Sequence, residues 1–423
     1  MSASGEAPVI LSDEPGSFAH SVLADRHPAL VRRVRDAFPW GPAQHRALDA
    51  LLAEITAGVI EPLGPGAHDR AEWERWGRRD GADASHSGAS RSGASGSDSP
   101  GSGTSWFGTS WFEAPFLWAE SYFYRRLLGA LDHFTPGPWQ GVDPFGPFKQ
   151  AELHAPAVDG ELAALDALPG RPADEQAHAL LHASLWGNRA DLGFRLDSGG
   201  GAPAGPQESP APDDPRLVAD DSAVLWSLLP PDASAAVHLI ADNAGQELIP
   251  DLVLLDHLLH TGRAGRAALH IKPHPYYVSD ATMTDVLDAL RRLRRAPGYA
   301  AGVGDRLWSA LTDGRLDVRA HPFFCAPLPY SAMPADLRAD LSGAAVTILK
   351  GDLNYRRLVG DRHWPATDSF HDRTAHFPGA VAALRTLKSD VLVGLHPQTL
   401  TTLDHTPTPW RTTGTHALIQ ARP

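Results

Sequence analysis

Four short runs in the second half of this 423-residue chain hold residue types that can bind a hard cation or an anionic ligand. In the first, Asp242-Asn243-Ala244-Gly245-Gln246-Glu247, Asp242 and Asn243 offer two oxygen ligands, and backbone N–H groups at the following helix start can hold a phosphate. The same residues also suit a plain turn, since Asp and Asn favour turns and caps and Gly245 adds flexibility. In the second, His270 to Asp280, Asp280 completes a three-oxygen set with Asp242 and Asn243 that suits Mg²⁺ or Mn²⁺. The plainer alternative is that Ser279 or Asp280 caps the helix that follows, and His274, between prolines, reads as a loop residue. The third run is Lys350-Gly351-Asp352-Leu353-Asn354-Tyr355-Arg356-Arg357. It gathers an acid, an amide, a phenol and two guanidiniums, a set able to grip the hydroxyls and phosphate of a sugar phosphate, unless Asp352 is only a helix cap. In the fourth, Arg385-Thr386-Leu387-Lys388-Ser389-Asp390, a loop can swing a cation toward a phosphoryl group.

These runs need elements to position them. After residue 216 short apolar runs alternate with helical ones, which predicts α/β architecture with a parallel sheet covered by helices. The predicted strands are Ala235–Ala241, Ala267–Ile271, Leu316–Ala320, Ala345–Leu349, Val391–Leu395 and Ala417–Ile419. Leu248–Leu259 and Met283–Leu293 have helical spacing. Open α/β sheets bind ligands at the carboxyl ends of their strands, and the first three runs follow predicted strands. The fourth precedes Val391–Leu395 and so sits at a strand start.

The N-terminal part reads as helical. Val22, Leu23, Leu30, Val31 and Val34 form a stripe broken by Pro28, and Leu48, Leu51, Leu52, Ile55 and Val59 form another. Trp111–Leu128 predicts a buried aromatic helix, preceded by a repeated Ser-Trp-Phe. Residues 174–192 read as a further helix. Residues 81–105, almost entirely Gly, Ala, Ser and Asp, predict a disordered loop, and 196–215 a loop or boundary. The expected division is a mainly helical subdomain over 1–215 and an α/β/α, Rossmann-like subdomain over 216–423.

Composition excludes several classes. A net charge of −13 argues against a nucleic-acid binder. No apolar stretch is long enough to span a membrane, and Met1–Ser17 lacks the features of a signal peptide, which points to the cytoplasm. Cys325 is the only cysteine, so intrachain disulfides and cysteine cages are excluded. Of 37 basic residues only four are lysines: Lys149, Lys272, Lys350 and Lys388. Where arginine is so favoured, a retained lysine suggests a place that needs a compact point charge rather than a planar fork, and the alternative is chance.

DNAGQE at 242–247, Ser279-Asp280, KGDLNYRRLVGD at 350–361 and RTLK at 385–388 together resemble the metal-dependent damage-control phosphatases, in the branch with an Arg-Thr-x-Lys motif that includes acidic-residue methyltransferase-like proteins. LWGNRADL at 185–192 and FEAPFLWAESYFYRRL at 112–127 extend the similarity over most of the chain. The resemblance implies a helical subdomain beside an α/β/α one. It implies a divalent metal (Mn²⁺, Co²⁺ or Ni²⁺ as the usual activators, or Mg²⁺) on Asp242, Asn243 and Asp280. Glu247, the run Asp352, Leu353, Asn354, Tyr355 and Arg356, and Lys388 are implied to contact substrate. The implied activity is hydrolysis of phosphate monoesters of small metabolites, such as fructose 1-phosphate, with either a metal-bound water or the Asp242 carboxylate as nucleophile. The second class carried by this branch is S-adenosylmethionine-dependent methylation of protein glutamate. The chain lacks the Gly-x-Gly-x-Gly loop which that cofactor usually requires. Oligomeric state is not legible in the sequence.

Overall fold

The computed structural model describes residues 7–79, 105–187, 214, 216–231, 234–407 and 409–423. The predicted loop at 81–105, apart from Ser105, the stretch 196–215, apart from Asp214, and the Asn188–Leu192 part of the LWGNRADL motif lie outside them. The chain forms two compact units, Met1–Pro144 with Asp361–Trp364, and Phe145–Gly360 with Pro365–Pro423. The first therefore ends well before the expected boundary at 215. The helices Gly146–Leu153, Pro156–Ala164 and Ala173–Trp186 belong to the second unit, with the sheet. Among the described residues no helix is long and apolar enough to cross a membrane.

The first unit is built from amphipathic helices around aromatic rings. Pro28 does not break its helix. It follows closely on the wide π-turn Val22–Arg26, and the run from Phe18 to Arg35 stays helical without a gap. Pro42–Ala57 buries Leu48, Leu51 and Ile55. The aromatic helix is Phe116–Ala130, with Trp111–Glu113 a separate short turn before it. Tyr122 stacks on Trp118 at 4.9 Å and donates its hydroxyl proton to the Glu61 carbonyl at 2.7 Å. His27 stacks on Phe123 at 3.7 Å, and neither ring nitrogen has a hydrogen-bond partner among the described residues.

In the second unit seven strands form one sheet: β1 Leu217–Asp220, β2 Ala236–Ile240, β3 Arg266–Ile271, β4 Leu316–Ala320, β5 Ala344–Lys350, β6 Val381–Thr386 and β7 Ala417–Arg422, in the order β1-β7-β6-β5-β2-β3-β4. Only the β6–β7 pair is antiparallel. Alternate side chains point to one face. Val237, Leu239, Ala267, Leu269, Val346 and Ile348 join the helices Leu248–His260, Met283–Arg295 and Tyr299–Thr312 in one apolar core.

Two expectations are corrected here. Val391–Leu395 is buried but forms no strand, and the strand in this region is β6, ten residues earlier. Periodicity cannot distinguish two short apolar runs of this kind, and pairing to β5 and β7 decides between them. Arg385 and Thr386 thus lie at a strand end, not a strand start. Strands β6, β5, β2 and β3 are adjacent and parallel, so all four runs emerge at one edge of the sheet. The chain proceeds outward from β2 to β3 and β4, and outward the other way from β5 to β6. Between β2 and β5 lies the switch point where such sheets bind ligands.

Burial pushes the His27 imidazole from its ordinary 6.5 down to about 3. Below about pH 6.5 the unfolded chain therefore takes up a proton that the folded unit refuses, and stability falls with pH by roughly 1.4 kcal/mol per unit. Urea unfolding followed by tryptophan fluorescence at pH 7 and pH 5 tests this. His27→Leu should lose less stability across the interval than wild type, and an equal loss would contradict the assignment.

Candidate active site at the carboxyl edge of the sheet

The end of β2 and the loop after β3 are tied together by backbone. Asn243 and Asp280 form an isolated antiparallel bridge, Ala244 N–H donates to Ser279 O at 2.6 Å, and Ala281 N–H donates to Asp242 O at 2.9 Å. This fixes Asp242, Asn243 and Asp280 beside one another. Neither Ser279 nor Asp280 caps the next helix. Thr282 does, in a capping box with Asp285. The Asp280 carboxylate, 2% exposed, instead accepts from Tyr277 N–H at 3.1 Å. Asn243 Oδ1 accepts from Ser279 Oγ at 2.7 Å, and its Nδ2 donates to Glu247 Oε2 at 2.8 Å.

Asp242 reaches across to the end of β5. Gly351, at φ +81°, leaves the room its carboxylate occupies: a Cβ there would stand 1.8 Å from Asp242 Oδ2. The Glu247 side chain similarly lies against Gly187, where a Cβ would stand 2.6 Å from Glu247 Cγ. Burial raises the Asp242 carboxyl well above the usual carboxylate range, and the charges of Glu247 and Asp280 raise it further, while Lys388 and Lys272 oppose them.

The run at the start of helix Gly351–Val359 is divided in use. Asp352 is not a side-chain cap. Its Oδ1 accepts from Arg385 Nε at 2.8 Å, from Ser389 Oγ at 3.1 Å and from Lys388 N–H at 3.3 Å. Burial would raise this carboxyl, but Arg385 and Arg356 outweigh it and hold it below its ordinary value. Arg385 is fully buried. It donates to Ser389 O and to Val391 O and lies 4.3 Å over the Tyr355 ring. Asn354 donates to Ala241 O and Lys350 O and accepts from Tyr330 Oη, and Tyr355 donates to Gln420 Oε1. Both side chains are buried; Asn354 braces the ends of β2 and β5, and Tyr355 ties its helix to β7. Arg357 donates to three backbone carbonyls, of Phe323, Phe324 and Leu328. Leu353 and Arg356 are buried, and Lys388 is exposed.

Beneath the site, sequence reasoning missed Ser184 and Asp251 and marked Lys149 and Lys350 without their partners. Lys149 donates to Asp280 O at 2.8 Å and to Asp285 Oδ2 at 3.0 Å. Lys350 pairs with Asp251 at 2.9 Å and donates to Ser184 Oγ at 3.1 Å. Burial pushes the Asp251 carboxyl up to about 6. No local motif marks Lys149, Ser184 or Asp251. The scarcity of lysine was the one usable signal, since all four lysines contact this region or act on it electrostatically.

Two carboxylates and an amide oxygen form a hard donor set, and the buried Asp242 carboxyl, crowded by Asp280 and Glu247, resists ionisation. Both observations fit a divalent cation at Asp242, Asn243 and Asp280. Elsewhere among the described residues, His238, His270 and Asp340 have donor atoms within 4.8 Å of one another. There His270 Nε2 lies 3.0 Å from His238 Nδ1, and Asp340 is paired with Arg319. Cys325 supplies no thiolate, because burial pushes its thiol up to about 12.

The fold and the polar strand-end site define an α/β enzyme. The chain belongs to the family described as the damage-control phosphatase ARMT1-like domain, whose model matches residues 22–402, and the family is one of phosphatases. It is 31% identical to damage-control phosphatase ARMT1 of Danio rerio over 96% of this chain and 94% of that protein. It is 30% identical to the Homo sapiens protein of the same name, over 73% of this chain and 74% of that one. A crystal structure of a DUF89 family protein from Pyrococcus horikoshii aligns with a TM-score of 0.46 and 14% identity, over 95% of this chain and 96% of that chain.

A methyl group on Gly351 would displace Asp242 and strain the backbone. Gly351→Ala should cost at least about 2 kcal/mol in denaturant unfolding. A change below about 0.5 kcal/mol would show that Asp242 does not sit as described.

Proposed function

We propose that this protein is a cytoplasmic, metal-dependent phosphatase that hydrolyses phosphate monoesters of small metabolites, with sugar phosphates such as fructose 1-phosphate as substrates. The observation that carries this reading is the crowding of Asp242, Asp280 and Glu247 at the switch point, with cations facing them. A divalent metal, Mn²⁺ or a similar ion (Co²⁺, Ni²⁺ or Mg²⁺), held by Asp242, Asn243 and Asp280 would supply Lewis-acid polarisation of a phosphoryl oxygen. Glu247 orients Asn243 by accepting from its amide nitrogen, and the amide oxygen, which accepts from Ser279 Oγ, keeps a second lone pair for the cation. Lys388 and Arg356 neutralise the remaining phosphoryl charge, which grows in the transition state. The pairing of Asp352 with Arg385 and with the Lys388 backbone holds the Lys388 loop at the site. Family membership supports the phosphatase chemistry, and the polar run at 352–356 supports a hydroxylated substrate.

The test offers purified protein a sugar-phosphate panel with Mn²⁺ and, separately, labelled S-adenosylmethionine. Phosphate release is expected. Protein methylation without phosphate release would replace this reading with the methyltransferase one.

Asp242→Ala and Asp280→Ala should each abolish calorimetric Mn²⁺ binding and nearly all phosphate release, with the fold retained. His270→Ala should keep both. The reverse pattern would move the metal to the His238, His270 and Asp340 group. Lys388→Arg should lower turnover by about 10²–10³ with a smaller change in KM, because a guanidinium is too large for a single phosphoryl oxygen. Wild-type turnover in Lys388→Arg would refute the point-charge argument, and wild-type turnover in Lys388→Ala would remove Lys388 from the site.

A further inference from the structure

Three of the four lysines are at most 2% exposed: Lys149, Lys272 and Lys350. A buried ammonium is costly unless hydrogen bonds and an opposite charge compensate for the lost water. Lys149 and Lys350 meet that requirement with the carboxylate, carbonyl and hydroxyl partners described above. Lys272 does not. Among the described residues its Nζ donates no hydrogen bond. Asp280 Oδ2 lies 3.9 Å away, close enough for charge attraction but beyond hydrogen-bond length, and the Tyr276 ring lies 5.7 Å away.

Its position is fixed. Lys272 follows β3 directly, and its N–H donates to Ala281 O at 3.0 Å, beside Asp280 in the chain. Its charge also acts on Asp242. The ammonium is thus a compact cation that donates no hydrogen bond among the described residues, 3.9 Å from one proposed metal ligand and acting by its charge on a second. A cation in that place cannot be a metal ligand. It can receive an anionic oxygen carried in with the metal's ligand.

We propose that Lys272 is a further catalytic residue, whose ammonium donates to a non-bridging oxygen of the substrate phosphoryl group. This rests on the phosphatase reading of the same site. Lys272 approaches from the β3 side and Lys388 from the β6 side, so the phosphoryl group is held between two point charges. Lysine suits this buried place, because its ammonium is a more compact charge than a planar fork.

The alternative is a purely structural lysine that holds Asp280. The two differ in sign at the metal. Removing a substrate-directed cation beside a dication relieves repulsion, so Lys272→Met should bind Mn²⁺ as tightly as wild type or more tightly in calorimetric titration without substrate. The same variant should lose the thermal stabilisation that inorganic phosphate gives the Mn²⁺-loaded wild type, and its turnover should fall by about 10²–10³. Lys272→Gln, which keeps a polar donor, should behave alike and serves if the Met variant folds poorly. Loss of Mn²⁺ binding together with phosphate binding in both variants would overturn the assignment in favour of the structural role. Wild-type phosphate stabilisation in either variant would overturn it alone, and absence of phosphate release by the wild type would overturn the assignment together with the reading beneath it.

Discussion

Burial and neighbouring negative charge make a carboxyl resist ionisation, and this protein sets the buried Asp242 beside two further carboxylates, Asp280 and Glu247, where two halves of a sheet diverge. Much of the surrounding architecture follows from keeping that arrangement intact. Backbone bonds between Asp242 and Ala281 and between Ala244 and Ser279 hold the acids in place against their repulsion. Two glycines, Gly187 and Gly351, leave the space that Glu247 and Asp242 occupy. Lys272 and Lys388 offset this crowding at Asp242 only in part. Under the proposed function the cluster would hold a cation, and a cation held there would attract a phosphoryl anion.

The cations are sorted by chemistry as well as by position. Arginine serves where a fork is needed. Arg385 divides its donors among Asp352, Ser389 and Val391, and Arg357 ties three carbonyls of the Phe323–Leu328 segment. Lysine serves where one ammonium must fit a narrow place, as Lys149 does under Asp280 and Lys350 beside Asp251. The arginine-rich composition makes this division visible, because each retained lysine stands out.

The sheet was legible where strands are short, apolar and followed at once by polar residues, as in β2, β3, β4 and β5. It was not legible at β6, where Val381–Leu384 and Val391–Leu395 are equally apolar and only pairing to β5 and β7 separates them. That error reversed the polarity assigned to Arg385 and Lys388. Strand order, and with it the reason the four runs converge, depends on pairing between distant segments that no local pattern encodes. Among the candidate site residues, Asp242, Asn243 and Asp280 stood out by type and position, and Glu247 through the family resemblance. Asn354 and Tyr355 looked like ligand-binding groups, yet their side chains hydrogen-bond to Ala241, Lys350, Tyr330, Val393 and Gln420. A polar side chain that braces a strand end and one that grips a substrate have the same one-letter code, and burial tells them apart.

The most direct measurement of the central claim is the position of the metal itself. Crystals grown with Mn²⁺ and measured for anomalous scattering should show a peak between the carboxylates of Asp242 and Asp280, adjoining Asn243. A peak confined to His238, His270 and Asp340, with none at the sheet edge, would contradict the account.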